Sequence, residues 1–273
     1  MIIFYFFIFV LGACVGSFLN AWVWRLHRGQ SMFGRRSYCP KCKTQLKNLD
    51  LVPLFSFLFL GGKCRFCKKK ISWQYPLVEI STGLLYLVSF IVIAGRFAAD
   101  PRWQIFLGLY WYFIAILVVI FIFDLKYYLI LDKVTIPAMV FVFLLNLILG
   151  RGFINLVLGA IIAGGFFELQ YKIPQWGRKI FGKKNVFFKL DWVGGGDVML
   201  GILIGVMLGW KLTLIALFIA YVCGAFVGII LLATGKKKLD SKIPFGAFLS
   251  GAAIIVLLWG EQIFQLYQRA ARI

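Results

Sequence analysis

The chain has 273 residues, of which 62% are hydrophobic and 18% aromatic, with a mean hydropathy of +0.91. Water-soluble domains are roughly half apolar, which excludes that class and requires much of this surface to face lipid. Thirty Lys and Arg stand against ten Asp and Glu, giving +20, and the single histidine, His27, excludes an HExxH zinc protease.

Met1–Trp24 is uncharged and long enough to cross a bilayer. It lacks a basic leader, and Arg25 and Arg28 lie after it, which predicts an uncleaved first transmembrane helix (1–24) with its N-terminus outside. A basic segment follows over 25–76. Inside it, Leu51–Gly62 is apolar but only 12 residues long, too short to span and suited to an interfacial or re-entrant hairpin. Seven further candidate spans follow: Ile80–Gly95, Trp103–Phe123, Val134–Gly150, Gly152–Phe167, Val198–Trp210, Leu212–Gly235 and Ile243–Gly260. Of these, Val198–Trp210 is short and is expected to recruit residues before it. The sequence therefore predicts an all-α polytopic membrane protein of about eight helices. It carries a small insertion after the first helix, a seven-helix membrane-embedded body over 77–262 and a tail over 263–273.

Eight alternating spans put 24 of the 30 Lys and Arg on one side and six on the other. Short cytoplasmic loops carry such an excess, so the rich side is the cytoplasm and both termini lie outside. The same split accounts for the charge without a nucleic-acid partner.

Four of the six cysteines form two pairs, Cys39–Cys42 and Cys64–Cys67, each CxxC, with 21 residues between them. Two knuckles at this separation approach zinc-ribbon spacing and supply four thiolates, a closed structural site. The alternatives are two disulfides or free thiols, and a reducing cytoplasm disfavours the first. Cys14 and Cys223 fall inside spans and read as packing residues.

Among the ten acidic residues, Asp50 and Asp240 lie in basic loops and read as solvated charges. Asp100 and Glu261 fall outside, and Glu79 and Glu168 fall at span edges. Asp124, Asp132, Asp191 and Asp197 remain. Asp124 closes an apolar stretch at the cytoplasmic boundary, and Asp197 follows Gly194, Gly195 and Gly196 on the same face. Ionisable groups at such a boundary are costly and point to function. Two adjacent carboxylates do not both ionise easily, so one holds a proton while the other activates water. The three glycines permit positive φ and close approach of a substrate backbone. Against this stand a flexible linker before a helix that favours an acidic first turn, and ion-binding acids of a transporter or scaffold.

These residues resemble a known family. Asp124–Asp132 (DLKYYLILD) and Gly194–Leu200 (GGGDVML) resemble the two aspartate motifs of bacterial type IV prepilin peptidases, including the GxGD signature. Gly12–Leu26, the cysteine segment Ser37–Glu79 and Ile243–Leu249 (IPFGAFL) are similar to its other motifs, in order. The resemblance implies a membrane aspartic protease of the inner membrane with its active site facing the cytoplasm. Such enzymes cut the basic leader from type IV prepilins and pseudopilins after a Gly, and many methylate the new N-terminus with S-adenosylmethionine. It implies Asp124 and Asp197 as the catalytic pair, Asp132 as a motif residue outside the pair, and an association of the 25–76 loop with methylation. The chain departs from the pattern in having Met199 where Lys is common, Ile130-Leu131-Asp132 for LPD, and Ala247 where Pro is usual.

Overall fold

A computed structural model describes residues 2–31, 36–97, 99–181, 193–235 and 243–271. Asp191 and Asp240 lie outside them. The described residues are helical, with two isolated β-bridges in place of a sheet. In hydrocarbon every backbone N–H and C=O must be met within the segment, so long apolar stretches become helices.

The helices are α1 (Ile2–His27), α2 (Phe55–Phe59), α3 (Gln74–Phe97), α4 (Trp103–Tyr127), α5 (Asp132–Ile148), α6 (Phe153–Phe181), α7 (Gly195–Leu208), α8 (Trp210–Ala233) and α9 (Phe245–Ala270). Six of them, α1, α3, α4, α6, α8 and α9, are long and apolar enough to cross a membrane, which makes this a multi-pass membrane protein. The two remaining expected spans are helical but shorter: α5 has 17 residues and α7 has 14. At 1.5 Å per residue α7 is about 21 Å long, against about 30 Å of hydrocarbon. Conversely, α6 runs well past the expected end at Phe167. Its extension carries a Lys172–Glu168 ion pair at 2.7 Å, one helical turn apart, which suits a polar extension.

The chain forms two compact units, residues 1–119 and 120–273. In the first, α1 and α3 cross tightly. A Cβ on Gly12 would lie 2.8 Å from the Gly83 Cα, and one on Gly16 would lie 2.9 Å from the Val78 carbonyl oxygen. Polar ties hold one end of the crossing. Buried Asn20 donates to the Tyr75 carbonyl at 3.3 Å and accepts from the Gln74 side chain at 3.2 Å. Buried Glu79 accepts the Leu54 N–H at 2.8 Å, so this carboxylate fastens the loop to α3. Cys14 and Cys223 are exposed on their helices, so the packing role expected for them is not what the structure shows.

In the second unit α7 packs on α5, α6, α8 and α9. Gly159 and Gly205 meet where α6 crosses α7, and a Cβ on Gly205 would strike the Gly159 backbone. The last carbonyls of α7, which lack helical donors, are met by side chains. Buried Asn146 donates to the Val206 oxygen and Arg151 to the Met207 oxygen, each at 2.8 Å. Gly209, at φ +76°, then turns the chain directly into α8.

Candidate functional site

Asp124 and Asp197 belong to the same unit, and each carboxylate sits at the start of a helix. Asp124, in the last turn of α4, is buried at 5% exposure. Its Oδ2 accepts the Ala247 N–H at 2.8 Å. Ala247 lies in the first turn of α9, where backbone N–H groups lack helical acceptors and the helix dipole favours negative charge. Pro244 precedes that turn and costs it no donor. Gly246 makes room there, since a Cβ on it would lie 3.0 Å from Asp124 Oδ2. Asp197 lies in the first turn of α7 and is half-buried. Its Oδ2 accepts the Gly194 N–H at 2.9 Å, closing the helix start on itself. The two carboxylates are within electrostatic reach of each other.

Ile130 joins the two aspartate motifs. A Cβ on Gly196 would lie 2.8 Å from Ile130 Cβ, and one on Gly246 would lie 2.8 Å from Ile130 Cδ1. Tyr128, at φ +55°, turns the chain after α4 so that Ile130 reaches both.

The glycines meet one half of the expectation, close approach, and not the other, positive φ. None of Gly194, Gly195 and Gly196 has positive φ, and Gly194 is extended at φ −87°. What they supply is a missing side chain. Gly196 needs that space for Ile130, while a Cβ on Gly195 would meet nothing within 4 Å. Gly194 and Gly195 are exposed, leaving open backbone beside Asp197. Asp132 is exposed in the first turn of α5.

Two side chains that the sequence did not single out lie in the same unit as the pair. Tyr221 on α8 donates to Gln170 Oε1 on α6 at 2.8 Å, and its ring lies 4.8 Å from that of Phe245, the first residue of α9. The phenol is also within electrostatic reach of Asp197. No spacing rule marks a Tyr and a Gln on separate helices. The α9 contact did carry a signal, the Pro-Phe-Gly of IPFG.

In the other unit the four cysteines converge. Cys39, Cys42, Cys64 and Cys67 place their sulfur atoms within 4.8 Å of one another, and Cys39 and Cys67 are 3.9 Å apart. Tetrahedral zinc with Zn–S near 2.3 Å requires sulfurs about 3.8 Å apart, so the set fits such an ion. The thiols are free rather than paired as disulfides. The knuckles repeat one geometry: Cys39 N–H donates to Thr44 O and Cys64 N–H to Lys69 O, both at 2.9 Å. Lys43 at φ +60° and Lys68 at φ +55° close the two turns. Hydrogen bonds from Thr44, first from its side chain, bring the Cys42 thiol down to about 6, and the backbone N–H of Cys67 lowers Cys64. Both shifts favour thiolates, while Cys67, against the backbone hydrogen bond from Lys69, is pushed up to about 11 by burial and the neighbouring sulfurs, as crowding among four thiols does. Asp50 is not a solvated charge: its side chain is 3% exposed, pairs with Arg65 at 2.7 Å and accepts the Lys47 N–H at 3.1 Å.

The family model for the bacterial peptidase A24 N-terminal domain matches residues 10–93, and that for the type IV leader peptidase family matches 111–229. The chain is 30% identical over 268 residues to the prepilin leader peptidase/N-methyltransferase of Bacillus subtilis, covering 97% of this chain and 98% of that one. It is 33% identical over 234 residues to the protein of the same name from Aeromonas hydrophila, covering 85% and 74%. The chain belongs to the type IV leader peptidase family. The leader peptidase match contains both Asp124 and Asp197, and the N-terminal match contains all four clustered cysteines. No solved structure matches.

Proposed function

We propose that Asp124 and Asp197 form the catalytic pair of an endopeptidase that removes the basic leader of type IV prepilins and pseudopilins. The observation that carries this reading is the placement of two carboxylates from different helices in one unit, each fixed by a helix-start N–H. One carboxylate takes a proton from water as it attacks the scissile carbonyl, and the other gives a proton to the leaving amine. Exposed Gly194 and Gly195 let an extended substrate lie against the backbone beside Asp197.

Six long helices with the shorter α5 and α7 are read as eight spans of the cytoplasmic membrane. Both termini then lie outside and the aspartates face the cytoplasm, in keeping with the charge split. The division into a first helix (1–24), a cysteine insertion (25–76), a membrane-embedded body (77–262) and a tail (263–273) follows that layout. Zinc is the metal proposed for Cys39, Cys42, Cys64 and Cys67, where it would cross-link two knuckles that bury little apolar surface of their own.

The relatives' names include N-methyltransferase, so methylation of the new N-terminus is proposed as a second activity. Its methyl donor would be S-adenosylmethionine, and no residue of the chain is assigned to it.

The deciding experiment incubates the purified protein with a prepilin and follows intact mass. Cleavage after the leader Gly supports the peptidase reading, and a further 14 Da, one CH2, supports methyl transfer. An unprocessed prepilin, with a known leader peptidase active in parallel, would sink it.

A further inference from the structure

Over residues 49–73, on both sides of the second cysteine pair, the chain carries an apolar ridge that the fold does not cover. Leu58 is 72% exposed, Phe59 85% and Trp73 70%, and Leu49 and Phe55 are exposed beside them. In water such a patch marks an interaction site.

The ridge is built rather than frayed. Phe55 and Phe59 stack with ring centroids 6.4 Å apart. Phe57 turns the other way, its ring 5.1 Å from that of Trp73 and against the site where a Gly62 Cβ would lie. Leu54 adopts φ +62° and gives its N–H to Glu79, in the second turn of α3. These contacts leave Phe55, Leu58 and Phe59 pointing outward.

The same contacts limit where the ridge can go. Its segment begins after α1 and ends in α3, two packed helices long and apolar enough to span the bilayer. A ridge hydrogen-bonded to the second turn of α3 stays at the membrane boundary. Exposed Lys63, Lys68, Lys69 and Lys70 lie within the same segment, between Phe59 and Trp73. Outward rings joined to a run of lysines are what an element lying in the interface presents. The rings enter the headgroup–acyl boundary, and the ammonium groups meet anionic headgroups.

We propose that residues 49–73 are a monotopic anchor whose ligand is the anionic phospholipid surface, seating the cysteine cluster on the membrane. This goes beyond the peptidase reading and does not depend on it.

The test places the photoreactive residue p-benzoylphenylalanine at position 59 of the full chain, and at position 58 in a second protein in case the first fails to fold. Position 45 is the aqueous control. Each protein is reconstituted in nanodiscs of phosphatidylcholine with or without phosphatidylglycerol, illuminated and analysed by mass spectrometry. Lipid adducts are expected at 58 and 59 and not at 45. Phosphatidylglycerol should be captured at about twice its share of the bilayer or more, an excess lost in high salt. Absence of lipid adducts at both positions overturns the proposal. So do adducts that merely track bilayer composition, and crosslinks to an added prepilin or a second copy in place of lipid.

Discussion

The cysteine cluster and the aspartate pair both gather reactive side chains, but over different ranges of the chain. Each knuckle makes its geometry within a few residues, Cys39 to Thr44 and Cys64 to Lys69, and only the joining of the two is distant. Of the aspartates, Asp197 is held by Gly194 three residues before it, but Asp124 has no local scaffold of that kind. Asp124 leans on an N–H 123 residues away, and Ile130 wedges between two glycines of other helices. The difference teaches where damage should spread. Loss of a thiolate should stay within the insertion, whereas small changes at the helix starts should reach the chemistry.

The largest effect tests the pair itself. Asp124→Asn or Asp197→Asn keeps size and most hydrogen bonding but removes acid–base function, so processing should fall on the order of 10²–10⁴-fold in kcat/KM. Each variant should elute and melt like the parent, and either one that still cleaved efficiently would remove the dyad from the account. Next comes the metal. Chelation, or Cys39→Ser with Cys64→Ser, should release about one zinc per chain by elemental analysis and open residues 36–71 to protease, since structural zinc contributes about 10–16 kcal/mol. Cleavage should persist, because the dyad lies in the other unit. Processing lost as fully as in the aspartate variants would break the contrast drawn above.

A subtler change sharpens it. Gly246→Ala puts a methyl 3.0 Å from Asp124 Oδ2, and a displacement near 1 Å costs about 10²-fold in rate. Gly196→Ala must displace Ile130 and should cost about 1–3 kcal/mol in stability by thermal melting. Gly195→Ala, in open space, should leave the melting point unchanged yet raise KM, which reports substrate against that backbone. An unchanged KM would take the substrate elsewhere. Smallest of all, Tyr221→Phe removes the bond to Gln170, worth about 1 kcal/mol, and should lower kcat/KM a few-fold.

What the sequence made legible follows the same division. The cysteine site could be read from spacing, because knuckle geometry is local. The aspartates could be singled out because the chain has only ten acidic residues and these two border apolar stretches. Their supports could not: Ala247 acts through its backbone, which no residue type announces, and Ile130 looked like one more apolar side chain in a motif. Of the two properties expected of the glycines, positive φ is absent and close approach is present at Gly196. The shortness of α7 and its start before Val198 were legible, and Asn146 and Arg151 meet its last carbonyls. The length of α6 was not, since Glu168 with Lys172 carries it past Phe167.

The glycine crossing of α6 on α7 has a further consequence. With backbone against backbone at Gly159 and Gly205, neither helix can roll about its axis without colliding with the other. The two are keyed together like a shaft and its collar. Asp197, about two turns above that key, therefore keeps a fixed bearing, and admission of a peptide falls to the parts of the molecule that are not keyed.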